Sequence, residues 1–434
     1  MKITVHRGAG EIGGNCIELQ SGESRILLDY GAPLPKIDSA TRKSVQATPE
    51  ETILDIPGLY EPAPAPLDGI IISHTHQDHY GGLFAKKISP AVPVYMTAAM
   101  EELIRLTAQI PRGGKDLDAT IRHYRKGEPF MAGAFKLTPY LMDHSASESF
   151  GFLIEADGRR VVYTGDFREH GNKKRAFEEF LSADMGKVDL LITEGTQAAI
   201  PSGPSEPDVM RDIESLVAGR DGALYVMCSG QNVDLLSSLG GIAEKQGRFL
   251  VLDGYIVLVL ELLQRLVPRK SGRPLQIPGI GKKYLKIINT SATGKIAGMP
   301  RYREICEAMK PHLVSWEALN ANIGRAIIPV RTSSTGWINK HIRDFSGAMF
   351  VYSMWNGYRV EAAFEEALRF FKAKGLPEFL IHASGHAYFS AIRKVVEARK
   401  PRRVLPVHTE HPGNFAWAFG DRVTVLKNGG SLEI

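Results

Sequence analysis

The sequence predicts a layered α/β fold interrupted by a second α/β domain. Three observations lead there: short, buried-looking strands that repeatedly end in His, Asp or Glu; a stretch from about 204 to 374 in which strands alternate with helices; and a return to the first pattern after it. Polar residues gathered at the carboxyl ends of buried strands are how such proteins build an active-site edge. A chain of 434 residues favours two domains, or one with a large insertion. The expected boundaries are 1–203 for the first part, 204–374 for the insertion and 375–434 for the return.

Taken in order, Lys2–His6 alternates like a strand, and Asn15–Gln20 and Arg25–Asp29 read as strands joined by Ser21-Gly22-Glu23-Ser24. Gly8-x-Gly10-x-x-Gly13 mimics a dinucleotide fingerprint, but no helix comes after it to face a pyrophosphate, so the motif is rejected. Asp29 ends a buried-looking strand, a position from which a carboxylate can orient a metal-bound histidine. Residues 33–67 are proline-rich and are expected to form a long loop or lid, its last part stiffened by Pro62, Pro64 and Pro66. After the apolar run Gly69–Ile72 comes Ser73-His74-Thr75-His76-Gln77-Asp78-His79. Val92–Met96 is a strand and Thr97–Gln109 an amphipathic helix with Thr97 as N-cap. Phe135–Met142 delivers Asp143-His144, and a hairpin turning at Asp157-Gly158 delivers Thr164-Gly165-Asp166. Asp189–Thr193 ends in Glu194.

The insertion reads as Pro207–Ala218, Ala223–Met227, Asn232–Lys245, Phe249–Leu252, Tyr255–Val267, Met349–Ser353 and Val360–Ala373, helices and strands in alternation. Eight cations and no acid lie between Leu262 and Lys295 (Arg265, Arg269, Lys270, Arg273, Lys282, Lys283, Lys286, Lys295), either a solvated face or a phosphate-tracking wall. Trp355 and Tyr358 could stack bases or simply edge the core. The return comprises a strand at Glu378–Ile381, the polar turn His382-Ala383-Ser384-Gly385-His386, a helix at Ala387–Arg399 and a strand Arg403–Pro406 opening onto His408.

Composition bounds the function without choosing it. Hydrophobic content of 44% and charged content of 23% are those of an ordinary globular chain, and a net charge of +5 permits a polyanionic partner without demanding one. The three cysteines are widely spaced and suggest a reducing compartment rather than a disulfide scaffold. The amino terminus reads as a strand, not a signal peptide, and the most apolar window, Tyr255–Leu263, falls short of the roughly 20 residues of a membrane span. A cytoplasmic protein without membrane contact is expected.

Three imidazoles and a carboxylate within six residues, His74, His76, Asp78 and His79, imply a metal: zinc first, manganese second. Adding His144, Asp166 and His408 makes seven ligand candidates, too many for one tetrahedral site, and two ions sharing a carboxylate is the simplest solution.

These residues, with Gly10-Glu11-Ile12-Gly13-Gly14-Asn15, Asp29, Glu194, His382-Ala383-Ser384-Gly385-His386 and Pro406-Val407-His408, resemble the metallo-β-lactamase-fold nucleases of the β-CASP group, especially the ribonuclease J type. The resemblance implies an αββα sandwich with an inserted β-CASP-like α/β domain closing over the strand. It implies that His74, His76 and His144 bind one metal, that Asp78, His79 and His408 bind the other, and that Asp166 bridges. Asp78, Glu194 and His386 are then the catalytic residues, with Glu194 holding the His386 imidazolium beside the leaving oxygen. His382 and Ser384, joined by Ser229 and Asn232, are the expected phosphate-binding residues; helix capping is the competing role for Ser384. RNA is the expected substrate, cut by metal-activated water and, given a phosphate pocket, from a 5′ end. Asp234 stands where relatives carry a basic residue, Thr409 where they carry Gly, and the carboxyl-terminal domain of that type has no expected counterpart. Alternatives are a hydrolase of a small ester, lactone or nucleotide, and a non-catalytic nucleic-acid-binding subunit; a homodimer stays open.

Overall fold

Along Ser149–Ala156, Phe150, Phe152 and Ile154 enter one apolar cluster while Leu153 enters another, so the two-residue period of a strand makes one sheet serve two cores. Its neighbours divide the same way. Val161 and Tyr163, Leu190 and Ile192, and Leu405 and Val407 face the first cluster; Val162, Leu191 and Val404 face the second. The structure, a computed structural model, describes residues 1–38, 44–45, 47–62, 65–110, 114, 116–267 and 275–434. Arg269, Lys270 and Arg273 of the basic run, and Pro64, lie outside the described residues.

The chain divides into two compact units: Met1–Lys36, Val45–Gly203 and Ser384–Ile434 form the first; Ile37–Ser44 and Pro204–Ala383 form the second. In the first, a seven-stranded sheet runs Gly430–Glu433, Lys2–Arg7, Cys16–Ser21, Ser24–Leu28, Gly69–Ile71, Pro93–Met96, Thr120–His123. A six-stranded sheet runs Arg403–Val407, Leu190–Glu194, Arg159–Tyr163, Ser149–Ala156, Phe135–Met142, Phe130–Ala132. Ile17, Leu27 and Ile70 of one sheet share the first cluster with Phe152 and Ile154 of the other, so the sheets stack face to face. The second cluster lies under helices Lys174–Ser182, Phe389–Arg399 and Pro412–Phe419, through Phe177, Phe180, Ile392, Val395 and Phe415. Met100 and Ile104 of helix Ala98–Gln109, capped as expected by the Thr97 hydroxyl accepting from the Met100 amide at 3.1 Å, join the first. This is the αββα sandwich.

The second unit holds a seven-stranded sheet in the order Leu313–Val314, Leu285–Ile288, Phe249–Asp253, Ala326–Val330, Leu224–Met227, Met349–Tyr352, Glu378–Leu380. Each pairing is parallel. Two of its helices begin on capping side chains: Asn232 accepts from the Leu235 amide at 3.1 Å, and Asp253 from the Ile256 amide at 3.0 Å.

Three expectations are corrected. The return to the first unit comes at Ser384, not 375, because Glu378–Leu380 pairs with Met349–Tyr352 and so completes the second sheet. Residues 33–67 are no featureless lid: Pro49–Thr52 is a short helix with a Thr48–Glu51 capping box, and Ile56, Leu59 and Tyr60 are buried in the first core. The last long helix starts at Phe389, with Tyr388 at its N-cap, so Ser384 does not cap it.

Candidate metal centre

The strand Gly69–Ile71 ends just before the histidine run, and the run itself is clamped rather than free. The Phe150 amide donates to the Ser73 carbonyl at 3.0 Å, and His74 bridges Ser149. His76 then precedes the one-turn helix Gln77–Tyr80, which carries Asp78 and His79. The amides of Asn15, Tyr30 and Ala32 donate to the carbonyls of Asp78, His79 and Gln77 at 2.9, 2.9 and 3.0 Å. Gly31 permits this: a Cβ there would lie 1.7 Å from the Asp78 carbonyl oxygen. The Gly8 loop serves the same place, since the His408 amide donates to the Gly8 carbonyl at 2.8 Å.

Seven side chains converge. His144 Nε2 lies 3.0 Å from His76 Nδ1, and His408 Nε2 lies 3.0 Å from Asp78 Oδ2, with His79 Nε2 3.8 Å from that same oxygen. Asp166 Oδ2 sits 3.1 Å from His79 Nε2, 3.7 Å from His74 Nε2 and 3.9 Å from His408 Nε2. His74, His76 and His144 form one triplet and Asp78, His79 and His408 another, with donor atoms in each within 4.8 Å of one another.

These residues suit divalent cations on a specific ground. His74 Nε2, His79 Nε2 and both Asp166 oxygens are buried without a hydrogen-bond partner. Orphaned buried polar atoms are rare in native proteins, and four aimed at one another call for a shared cation. The protonation states agree. Burial, then the neighbouring imidazoles, holds His74 and His144 well below the usual histidine range, and burial lowers His76 to about 4, leaving the neutral imidazole that binds metal. At His79 burial opposes charge, yet Asp166, Asp29 and Asp78 pull it well above its ordinary value; that surplus of negative charge is what a bound cation would satisfy.

A second layer fixes the rings. Asp29, in a left-handed conformation at φ 59, accepts from His79 Nδ1 at 2.8 Å, from the Ser73 amide and hydroxyl at 2.7 and 2.8 Å, and from the Tyr163 hydroxyl at 2.6 Å, and so fixes the His79 ring. His144 Nδ1 is 2.5 Å from the Gly385 carbonyl, and His408 Nδ1 is 2.7 Å from the Thr196 hydroxyl. Arg168 is fully buried: Nε donates to Asp143 at 3.1 Å and a terminal nitrogen to the Ser384 carbonyl at 3.1 Å, which joins the His144 strand end to the His386 turn. The sequence reading missed Arg168, Tyr163 and Thr196.

Glu194 is buried and accepts from the amides of Phe167, Thr196 and Ala387 at 3.0, 3.1 and 3.3 Å. His386 Nδ1 lies 3.2 Å from Glu194 and 3.5 Å from Asp166. Burial opposes its charge, but Glu194 and Asp166 outweigh burial and bring it up to about 9. The Ser384 hydroxyl accepts from the His386 amide at 3.1 Å and so holds this turn. Ser229, Asn232 and His382 belong to the other unit; there Asn232 is a helix cap, and the Ser229 hydroxyl accepts from the Gln231 amide at 3.2 Å. Within the basic run, Arg265 pairs with Glu304 at 3.0 Å, and Lys286 lies 5.1 Å over the Phe249 ring.

Fold and site together define a metallo-β-lactamase-type protein. Residues 47–219 match the family model of the beta-lactamase superfamily domain. The chain is also similar to the ribonucleases J: 25% identical over 255 residues to that of Mycobacterium tuberculosis (57% of this chain, 43% of the relative), and 23% identical over 373 residues to that of Thermus thermophilus (80% and 59%). The matches thus span about half the length of these curated relatives. The crystal structure of a protein of unknown function from Enterococcus faecalis V583 has the same fold, with a TM-score of 0.74 at 17% identity over 99% of both chains.

Proposed function

We propose that this chain is a ribonuclease that hydrolyses phosphodiester bonds with a pair of divalent cations, zinc or manganese. The observation that carries the reading is Asp166, a buried carboxylate whose two oxygens accept no hydrogen bond and which is ringed by imidazoles of both donor triplets. His74, His76 and His144 would hold one ion and Asp78, His79 and His408 the other, with Asp166 shared. Bound there, such a pair supplies a water ionised near neutral pH and offsets charge developing on phosphoryl oxygens. The chain's own part is to hold donors and move a proton. Asp29, Thr196 and the Gly385 carbonyl fix the imidazole orientations, which a preorganised site needs. His386, held by Glu194, donates a proton to the departing oxygen and lowers the cost of expelling it.

RNA as the substrate is supported by the likeness to proteins named ribonuclease J, and the second unit is then the β-CASP-like insertion. Cleavage from a 5′ end deepens the same reading. Purified protein with zinc or manganese should shorten 5′-end-labelled RNA and release mononucleotides rather than a ladder, and His76→Ala should abolish this. Hydrolysis of small esters or lactones with intact RNA would overturn the substrate, and undiminished cleavage by His76→Ala would overturn the centre.

A further inference from the structure

The loop after Asp166 sends two side chains back to one carbonyl. Arg168, fully buried, donates through a terminal nitrogen to the Ser384 carbonyl at 3.1 Å, and His170 Nε2 donates to the same oxygen at 2.9 Å. The next carbonyl of that turn, Gly385, accepts from Nδ1 of the donor His144 at 2.5 Å. Two successive carbonyls just ahead of His386 are thus held by three N–H groups. The turn also packs closely on its inner side, where a Cβ at Gly385 would lie 2.6 Å from the Ser145 hydroxyl oxygen.

Arg168 is itself held. Its Nε donates to one Asp143 oxygen at 3.1 Å and its amide to the Asp143 carbonyl at 2.6 Å, while the other Asp143 oxygen accepts from the Lys173 amide at 3.1 Å. Gly171 leaves room for this, since a Cβ there would collide with both the Asp143 carboxylate and the guanidinium. The His170 ring lies on Tyr388, their centroids 4.4 Å apart. A buried ion pair is a poor way to gain stability, because well-packed apolar side chains of similar volume often do as well or better. What this pair supplies is direction: a planar guanidinium fixes two N–H vectors at once, one on the residue before His144 and one on the residue two before His386.

We propose that Arg168, with His170 beside it, is a positioning residue that sets the His386 imidazole against the donor cluster for proton transfer. It rests on the reading of His386 as the proton donor and adds what aims it. With Nδ1 on Glu194 at 3.2 Å, the proton that moves is the one on Nε2. It passes to the departing oxygen as the phosphorus–oxygen bond breaks and leaves a neutral imidazole, while Arg168 keeps its charge. Misplacing a reacting group by about 1 Å can cost roughly a hundredfold in rate, so anchors that act only through the backbone of the turn still govern the step.

The test compares leaving groups with the manganese-loaded full chain: RNA, whose departing sugar oxygen needs a proton, against bis(p-nitrophenyl) phosphate, whose nitrophenolate does not. Arg168→Lys keeps the charge and loses the fork. It should cut kcat about a hundredfold on RNA and no more than about fivefold on the nitrophenyl diester, with KM little changed. His170→Phe, which keeps the stack on Tyr388, should show the same split at about tenfold on RNA. In a His386→Ala background, adding Arg168→Lys should cost nothing further, since nothing is left to position. In the metal-free protein, the His386 and Ala387 amides, which donate to the Ser384 hydroxyl and Glu194, should exchange hydrogen about tenfold faster in Arg168→Lys. Equal loss on both substrates, wild-type rates on RNA in both single variants, or a full further loss in the His386→Ala background would overturn the proposal. His386→Ala slowing both substrates equally would sink the proton-donor reading and this one with it. Selective loss in His386→Ala but not in Arg168→Lys would sink the positioning role alone. Melting curves that match wild type exclude misfolding.

Discussion

At Glu148 a carboxyl is buried with one hydrogen-bond donor, the Thr97 hydroxyl, whose own oxygen caps a helix; burial pushes the acid from 4.5 up to about 7. The folded chain binds that proton more tightly than the unfolded one. This contribution to stability is therefore complete below about 4.5 and is lost as pH rises through about 7. Glu148→Gln should remove the dependence: by denaturant unfolding, the variant should overtake wild type between about pH 5 and pH 8 by about 3 kcal/mol. Parallel pH profiles would show Glu148 ionised in the fold. Residues differ in how far a sequence exposes such roles. His74 through His79 could be read because dense ligand-type residues at a strand end have few other uses, and Asp29 because it ends an apolar run. Arg168 could not: an arginine in sequence reads as a surface cation, and only the fold shows it fully buried between Asp143 and Ser384.

Among elements, the one-turn helix Gln77–Tyr80 is too short to hold itself, and its geometry comes from the Asn15 and Tyr30–Ala32 backbone pressed against it. Gly31→Ala forces a methyl group into the Asp78 carbonyl, so Asp78 and His79 must shift. The variant should lose at least tenfold in manganese affinity by isothermal titration calorimetry and about 2 kcal/mol or more in stability; unchanged metal binding would show that the turn tolerates the shift. Most strands were legible from period-two alternation and turn residues, as with the Asp157-Gly158 hairpin, where both residues adopt positive φ. Ala326–Val330 was not, although it lies inside the second sheet. Its Pro329 argues against a central strand, yet one flanking strand pairs only with Ala326 and Ile327, so the missing amide is not needed on that side. Glu378–Leu380 was legible as a strand but not in its sheet, since nothing local says which edge it joins.

For the whole molecule, the donor triplets lie in the first unit alone, so ion binding should stabilise that unit selectively. In scanning calorimetry, a chelator should lower one transition by about 5 °C or more and leave the other in place. Two transitions moving equally would show that the units unfold together. The first unit is also assembled from distant parts of the chain: Asp78 meets His408 across 330 residues. At roughly 5–20 residues per second, the ribosome needs about 15–65 seconds to cover that interval. Until residue 386 is made, the growing chain carries His74, His76 and His79 but neither His386 nor His408. The full donor set thus exists only once His408 has been made, long after the histidine run that begins it.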